Sequence, residues 1–269
     1  MSIYIGGRCC GNIQALITVQ TDNCIQSLNI KSHLLTNVNQ NAFLRHCRCL
    51  SRPRCSYHFS VPKPSSNKFK YQFLKTLSAN PDNTIIGIAR SPDAVKAKIS
   101  ADNLPSNVHI LKGDLTDVAS LNAAAAETSK LTGGVVDYLI VNGAYLPYAT
   151  GHLTAADYAG QEQLFLDDLN ASMHANVAGI VFTVNAFIDL VKKSNIKKVI
   201  VISSGMADQE LILTTEIAAS IPYSVSKAGA NIVTSKYAAL YKNDGVIFLS
   251  LSPGFVQTQA DPNGPGKCS

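Results

Sequence analysis

Acidic residues are nearly absent from the first quarter of the chain, and this shortage decides its charge. Residues 1–70 contain nine Lys/Arg and a single acid, Asp22, whereas residues 71–269 contain fourteen Lys/Arg and seventeen acids. The formal net charge of +5 therefore comes from the N-terminal segment. A nucleic-acid-binding surface gathers Lys and Arg on a folded face, and these basic residues lie in a segment with weak periodicity. We expect no nucleic-acid partner.

Long apolar runs are also missing. No stretch of 18 or more apolar residues occurs, so we expect no transmembrane helix and no membrane partner. Hydrophobic residues still make up 46% of the 269 positions, which is enough to build the core of one large domain. The sequence predicts a soluble, globular protein.

Cysteines are scarce outside the N-terminal segment, since six of the seven lie within the first 55 residues. The first 20 residues lack the charged start and continuous apolar stretch of a secretory signal, so we expect reduced thiols and a cytoplasmic location. A mitochondrial transit peptide is the alternative, although no amphipathic Arg-bearing helix is evident. The His and Cys residues between positions 46 and 58 have no paired CxxC spacing, so we expect no metal site.

Composition divides the chain into three segments. Residues 1–70 are rich in Asn, Ser, Gln, Arg and Cys and end in a Pro- and Ser-containing stretch, so an irregular, poorly ordered segment is predicted. Residues 71–258 are predicted to form one Rossmann-type domain, and residues 259–269 an irregular tail. One hypothesis is that residues from about 6 to 70, and possibly the tail, come from a mistaken exon, a retained intron or a change of frame.

From residue 71 onward, short β-branched runs alternate with helical stretches. Strands separated by helices of this length need right-handed crossovers, which give a parallel sheet. The sequence therefore predicts an α/β fold with three layers and a doubly wound parallel sheet. Strands are predicted at 84–89, 107–111, 136–141, 198–202 and 246–251, and helices near 71–79, 93–101, 117–131, 161–192 and 223–242.

The most informative motif is Tyr-Ser-Val-Ser-Lys at 223–227, at the start of the last predicted helix. Residues four apart share a helix face, so the Tyr223 phenol and the Lys227 ammonium can point into one site. A neighbouring cation favours the phenolate form of a tyrosine, and such a pair suits proton exchange with an alcohol or a carbonyl. The spacing alone is weak evidence, because Tyr and Lys fall four apart in many helices.

Polar or small residues follow the predicted strands, where ligands bind in open α/β sheets. Asn176 adds a polar residue to an apolar helical face. Each of these residues also has a structural explanation, such as ending a strand, satisfying a buried backbone group or permitting a tight turn. The strand-end clusters are Asp114-Leu115, Asn142-Gly143-Ala144, Ser203-Ser204-Gly205 and the stretch from Ser252-Pro253-Gly254 to Val256 and Thr258.

Taken together and in this order, these motifs make the sequence resemble the short-chain dehydrogenase/reductase family over residues 71–258. It looks especially similar to fungal carbonyl and ketone reductases of the norsolorinic-acid-ketoreductase type. The resemblance implies an acid/base role for Tyr223 and a substrate hydrogen bond from Ser204. It also implies that Lys227 lowers the Tyr pKa and binds the nicotinamide ribose, and that Asn176 holds a proton-relay water. Asp114 and Asn142 would border the adenosine side of the cofactor, and Pro253, Gly254 and Thr258 the nicotinamide side. The other residues expected to bind the cofactor are Leu115, Gly143, Ala144 and Val256.

The cofactor preference follows from Arg90 and Ser91, which come directly after the 84–89 strand. An NAD-selective site usually places an acid there for the ribose 2′-hydroxyl, whereas a cation and a hydroxyl suit a 2′-phosphate. NADPH is therefore favoured over NADH. The Gly-rich turn that should bind the pyrophosphate is absent before Tyr71, where the sequence reads KPSSNKFK. The first strand with its Gly-rich turn and the last strand are therefore expected to be disrupted or missing, and short strands near 2–5 or 15–19 are two candidates for the first strand.

Two functions from different classes remain. The first is reduction of a ketone or the reverse oxidation of a secondary alcohol, on a hydrophobic small molecule. Tyr145, Tyr148, His152, Met206 and the loop 205–221 would then shape its pocket. The second is a non-catalytic Rossmann-fold protein that serves in binding or assembly. The long helices at 161–192 and 223–242 suggest, by analogy alone, a homo-oligomer.

Overall fold

The computed structural model describes residues 3–4, 16–21 and 68–254 of the chain. Strands and helices alternate from residue 68 onward, as the sequence pattern predicts. The strands are β1 (Ile3–Tyr4), β2 (Leu16–Thr21), β3 (Asn83–Ala89), β4 (Val108–Lys112), β5 (Tyr138–Val141), β6 (Lys198–Ile202) and β7 (Ile247–Ser252). The α-helices are α1 (Lys68–Ser78), α2 (Pro92–Ala101), α3 (Val118–Leu131), α4 (Glu162–Met173), α5 (Gly179–Lys192), α6 (Gln209–Thr215) and α7 (Ile221–Leu240).

The strands form one seven-stranded sheet in the order β1-β7-β6-β5-β2-β3-β4. The pairs β3–β4, β5–β6 and β6–β7 are parallel, as helical crossovers require. The α/β prediction and the five strands predicted after residue 71 are confirmed, each to within two residues at its ends.

One strand departs from the predicted parallel arrangement. β2 occupies the central position between β5 and β3 and is antiparallel to both, with Leu16 opposite Val141 on one side and Ile88 on the other. The crossover rule applies to strands joined by one compact helical connection, whereas residues 22–82 separate β2 from β3, so no compact crossover fixes the direction of β2. The candidate first strand near 15–19 is thus present as β2, but it is antiparallel to its two neighbours. The candidate near 2–5 is present as β1, which pairs with β7.

Helices cover both faces of the sheet, and each face has its own core. On one face α3, α5 and α7 pack against the sheet, around residues such as Leu121, Phe187 and Ala230 that are at most 1% exposed. On the other face α1 contributes Phe73 and Leu74, and α2 adds partly buried residues. Successive strand residues alternate between these cores, which is why β3 is apolar from Ile85 onward and β6 from Val199 onward.

The predicted helix at 161–192 is continuous but not uniform. A π-helical turn, His174–Ala178, separates α4 from α5. By length and composition the whole run Glu162–Lys192 could span a membrane, but 56% of its most apolar window is buried inside the protein. α5 packs on the sheet with eight buried residues, which accounts for its apolar character.

Several expectations fall on parts of the chain outside the described residues. These are the irregular character of most of residues 1–70, the cysteines, the residues in place of the Gly-rich turn before α1, and the tail 259–269.

Candidate active site

The carboxyl ends of β5, β6 and β7 lie side by side, because the three strands are parallel and in register. Asn142 follows β5 and Ser203 follows β6, while Ser252 ends β7, and all three are buried. The Ser203 N–H donates to the carbonyl of Leu251 over 2.8 Å, which extends the β6–β7 pairing by one residue. Polar groups predicted from separate strand ends are thus brought to one edge of the sheet.

Lys227 lies one turn into α7 and its ammonium is buried at this edge. The residue is 2% exposed, and its Nζ donates to the carbonyl oxygen of Ile202 over 2.8 Å. The same Nζ lies 5.8 Å from the centroid of the Tyr223 ring. A buried cation is retained at high desolvation cost, so this geometry points to a role at the site rather than to stability.

Tyr223 sits in the first turn of α7, directly after Pro222. Proline at the start of a helix costs no hydrogen bond, because the first N–H groups have no acceptor within the helix. The Tyr223 side chain is half-buried, in contrast to the buried Lys227. The predicted sharing of one helix face is confirmed, with the phenol on the accessible side of the pair.

Asn176 is held in the π-helical turn and is 1% exposed. Its Oδ1 accepts from the Tyr145 N–H over 2.6 Å, and its Nδ2 donates to the Tyr145 carbonyl over 2.8 Å and to Ser226 Oγ over 2.9 Å. Ser226 Oγ in turn donates to the Tyr223 carbonyl over 2.7 Å. The side chain of Asn176 therefore links the segment after β5 to the first turn of α7.

Ser226 is a residue that the sequence reasoning missed. It is fully buried and lies next to Lys227, and its hydroxyl connects Asn176 with the backbone of Tyr223. Its position three residues after Tyr223, on the same side of the helix, was the available signal. The wider lesson is that the motif supplies a support for the site as well as the reacting groups.

Ser204 follows β6 and begins a short 3-10 turn, Gly205–Ala207. Its Oγ accepts from the Met206 N–H over 3.2 Å, and the residue is half-buried. A serine hydroxyl has two acceptor sites and one donor, so the O–H can still donate to a ligand. This turn contacts α7, and the Lys227 Nζ donates to the carbonyl of Ile202, two residues before Ser204.

The residues predicted for the cofactor divide into three groups. Asn142 and Gly143 are buried at the edge, Ala144 and Gly254 are half-buried, and Pro253 is buried beside them. Arg90 and Ser91 are exposed at the end of β3, where Ser91 precedes α2 without a side-chain cap. Val256 and Thr258 lie outside the described residues.

Asp114 has a structural role as well as its predicted one. Its Oδ1 accepts from the backbone N–H and the hydroxyl of Thr116, each over 2.9 Å, and this closes the turn after β4. Leu115 is 4% exposed and packs on α5 at Gly179, where an added Cβ would lie 3.0 Å from the Leu115 Cβ. Asp114 is half-buried, at the same edge as Asn142.

The edge has one feature that fits a bound nucleotide. Among the described residues, the buried Nδ2 of Asn142 has no hydrogen-bond partner. A buried amide donor without a partner is costly unless a ligand satisfies it. Together with the buried Gly143 and Lys227, this unsatisfied donor fits a bound dinucleotide.

The segment predicted to shape the pocket follows Asn142 and carries several aromatic residues. Burial raises the pKa of the Tyr145 phenol, and the charge of Asp168 raises it further. Burial likewise raises the pKa of Tyr158, whose OH donates to Asp168 over 3.1 Å. Tyr145, Tyr148 and Met206 are half-buried, whereas His152 is exposed.

Among the described residues, no group of three or more His, Cys, Asp or Glu could hold a metal ion.

Solved structures with a similar fold include the NADPH-bound carbonyl reductase from chicken fatty liver. It has a TM-score of 0.51 and 23% sequence identity, and the match covers 61% of this chain and 66% of that one. The carbonyl reductase Sniffer of D. melanogaster matches with a TM-score of 0.52 and 21% identity, over 62% of this chain and 67% of the other. At these identities the likeness establishes the Rossmann-type fold.

Sequence relatives are more similar. The short-chain dehydrogenase/reductase iacC of Pestalotiopsis fici is 40% identical over 196 residues, which cover 72% of each chain. The short-chain dehydrogenase/reductase AacuF of Aspergillus aculeatus is 39% identical over 187 residues, or 69% of each chain. Residues 71–265 match the profile of the short chain dehydrogenase family. With its sheet edge, its Tyr223–Lys227 pair and these relatives, the chain belongs to the short-chain dehydrogenase/reductase family of oxidoreductases.

Proposed function

We propose that this chain is an NADPH-dependent carbonyl reductase that acts on a ketone, or on a secondary alcohol in the reverse direction. The proposal rests chiefly on the buried network that runs from Asn176 through Ser226 to the carbonyl of Tyr223, beside the buried Lys227. A protein that only bound a partner would gain nothing from a desolvated ammonium beside a half-buried phenol. The chicken protein's NADPH and its carbonyl reductase activity agree with this choice.

In the direction of reduction, the Tyr223 phenol donates a proton to the substrate oxygen, which becomes the hydroxyl of the alcohol. Ser204 donates a hydrogen bond to the same oxygen and so orients the carbonyl. Bound NADPH supplies the hydride. Lys227 places a positive charge near Tyr223, and this charge favours the phenolate left after proton transfer. Asn176 and Ser226 fix the backbone on which these groups stand.

Arg90 supports NADPH over NADH. It lies exposed at the end of β3, and no acid follows that strand before Asp93. A guanidinium forms bidentate hydrogen bonds with a phosphate and suits the 2′-phosphate of NADPH. The substrate would be a hydrophobic carbonyl compound, since Tyr145, Tyr148 and Met206 border the site. We keep a cytoplasmic location and a homo-oligomer as predictions.

Two variants test the chemistry. Tyr223→Phe removes the acid while it keeps the ring, and Lys227→Met removes the charge while it keeps most of the side-chain volume. Carbonyl reduction is measured by the loss of NADPH absorbance, and general acid catalysis typically contributes 100-fold or more, so each variant should lose at least about 100-fold in kcat. Full activity in Tyr223→Phe would refute the assigned acid.

A thermal-shift titration tests the cofactor separately. NADPH should raise Tm in a saturable manner and at lower concentration than NADH, because a ligand of the native state stabilises it by mass action. Arg90→Ala should weaken the binding of NADPH and leave the binding of NADH unchanged. Equal shifts by the two cofactors in the unaltered chain would contradict the preference.

A non-catalytic binding protein is the second candidate, and one observation favours it. β2 runs antiparallel in the central slot, so the end of this strand faces the amino edge of the sheet. A turn that follows β2 therefore cannot deliver N–H groups to a pyrophosphate at the carboxyl edge. This candidate predicts a cooperative melt with no shift from either cofactor, and indifference of partner binding to Tyr223→Phe.

A further inference from the structure

The connection into α7 is tied to the segment that follows β5 by two hydrogen bonds from one residue. The N–H of Ser220 donates to the Leu153 carbonyl over 3.0 Å, and its Oγ donates to the Gly151 carbonyl. Ser220 is the residue before Ile221, where α7 begins, and it lies three residues before Tyr223. Its carbonyl accepts the helical bond from Ser224 over 3.0 Å.

Local preferences do not account for the geometry of Ser220. Its φ is +63°, in the left-handed region that favours glycine. A serine that precedes a helix usually accepts a hydrogen bond from the N–H groups of the first turn, and Ser220 makes no such bond. Ser220 therefore has neither a favoured backbone conformation nor a capping bond. Its hydroxyl and its N–H donate instead to the carbonyls of Gly151 and Leu153. The contact with that segment therefore sets its conformation.

The partner segment is shaped to receive this contact. A Cβ added at Gly151 would lie 2.9 Å from the Pro147 carbonyl oxygen, so the turn from Pro147 to Gly151 needs glycine. The same Cβ would make only an ordinary contact with Ser220 Oγ, at 3.6 Å. A turn in which the Leu153 N–H donates to Thr150 over 2.9 Å closes the segment. The Gly151 and Leu153 carbonyls consequently face the start of α7.

The segment 145–153 is thus held at both ends by elements that carry the reacting groups. Asn176 holds its beginning through both backbone groups of Tyr145, and Ser220 holds its end. We propose that Ser220 is a positioning residue, which keeps the Tyr223 phenol in a fixed relation to the segment 145–153 on the substrate side. The inference rests on the proposed function and deepens it, because this contact joins the acid to the wall of the pocket.

The test uses two variants that attack the contact from opposite sides. Ser220→Gly removes the hydroxyl and relieves the positive φ, so it should not lower Tm. Gly151→Ala leaves Ser220 intact and displaces the backbone at residue 151, because the new Cβ would lie 2.9 Å from the Pro147 carbonyl oxygen. The matched control is Asn103→Gly, an exposed residue with φ of +50° that lies between α2 and β4, far from the site along the chain. This control variant should leave the NMR signal of Tyr223 and the turnover of the ketone unchanged.

Two readouts are recorded for each variant and for the double variant. Turnover of a ketone with NADPH gives kcat and KM. The ¹³Cζ tyrosine NMR signal of Tyr223, assigned by its disappearance in Tyr223→Phe, gives its chemical shift and titration without any need for turnover. We expect Ser220→Gly and Gly151→Ala each to lower kcat by about 10-fold to 100-fold and to move the Tyr223 signal, since a misplaced group costs about this much.

The double variant should lose no more than either single variant, because both disrupt the same contact. Losses that multiply would overturn the proposal, as would an unchanged Tyr223 signal in Ser220→Gly. An unaltered chain that reduces no ketone would defeat the proposed function alone, and the NMR signal would still decide the role of Ser220.

Discussion

Replacing Asn176 should destabilise the protein strongly, because a single side chain satisfies three groups. Asn176→Ala removes its bonds to the Tyr145 N–H, the Tyr145 carbonyl and Ser226 Oγ. Each bond contributes about 1 kcal/mol net, and a buried N–H left without an acceptor costs about 1–3 kcal/mol. We therefore expect a loss of about 3–6 kcal/mol in the free energy of unfolding, measured by urea denaturation followed by circular dichroism.

Asn185→Ala is the matched control on α5. Asn185 is exposed and its Oδ1 accepts one bond, from the Tyr237 hydroxyl over 2.7 Å. A single part-buried bond contributes about 1 kcal/mol, so this variant should lose much less stability than Asn176→Ala. Equal losses of stability in the two variants would contradict the claim that burial and two backbone hydrogen bonds make Asn176 contribute more stability than Asn185.

Asn176→Asp separates the hydrogen bonds from the packing, because it keeps nearly the same shape. One carboxylate oxygen can still accept from Tyr145, but the other replaces an N–H donor that lies 2.8 Å from the Tyr145 carbonyl oxygen. The protonated acid can donate there, so the pKa of the new carboxyl should be raised in the folded state. Relative to the unaltered chain, its stability should therefore be greatest at low pH and fall as pH rises through the folded-state pKa of the new carboxyl. A difference from the unaltered chain that stays constant or shrinks as pH rises would contradict this arrangement.

Burial, and then the hydrogen bond and charge of Asp102, raise the pKa of Tyr71 to about 12, so stability should fall between about pH 10 and 12. Tyr71→Phe should flatten this fall by about 1 kcal/mol after solvent screening, as measured by urea denaturation across that range. Phe187→Ala should cost about 4 kcal/mol, because Phe187 is fully buried, and a cost below about 1 kcal/mol would contradict the assigned core. Gly179→Ala should cost about 2 kcal/mol, since the new Cβ would lie 3.2 Å from the Leu115 backbone oxygen, and an unchanged urea midpoint would show that α5 can move away.

The elements after residue 71 were predictable because each has a local cause. β3 and β6 are β-branched runs buried on both faces, and the helices between them have the length of a crossover. The Tyr223–Lys227 pair was predictable from spacing, since residues four apart always share a helix face. These features depend on neighbours in the sequence, so the sequence reveals them.

The remaining features depend on contacts between distant residues. The π-helical turn at 174–178 has the same apolar pattern as the helices around it, and only the fold shows that Asn176 reaches Tyr145. No compact helical crossover fixes the direction of β2. The pattern of apolar and polar residues at 16–21 suits a strand of either direction, so the sequence could not reveal it. Ser220 looks like an ordinary serine at the start of a helix, and its use as a tie to Gly151 follows from tertiary structure.

The reversed central strand also has a consequence for how the chain folds. β3–β4 and β5–β6–β7 are two separate parallel ribbons, and β2 alone joins them into one sheet. Before residues 16–21 dock as β2, β3 and β5 are apolar edge strands, each with a row of unpaired N–H and C=O groups. Such an edge can pair with a strand of another chain. Closure of the sheet requires contacts across long stretches of sequence, and such contacts form slowly. The interval before β2 docks is therefore when this protein is most exposed to aggregation.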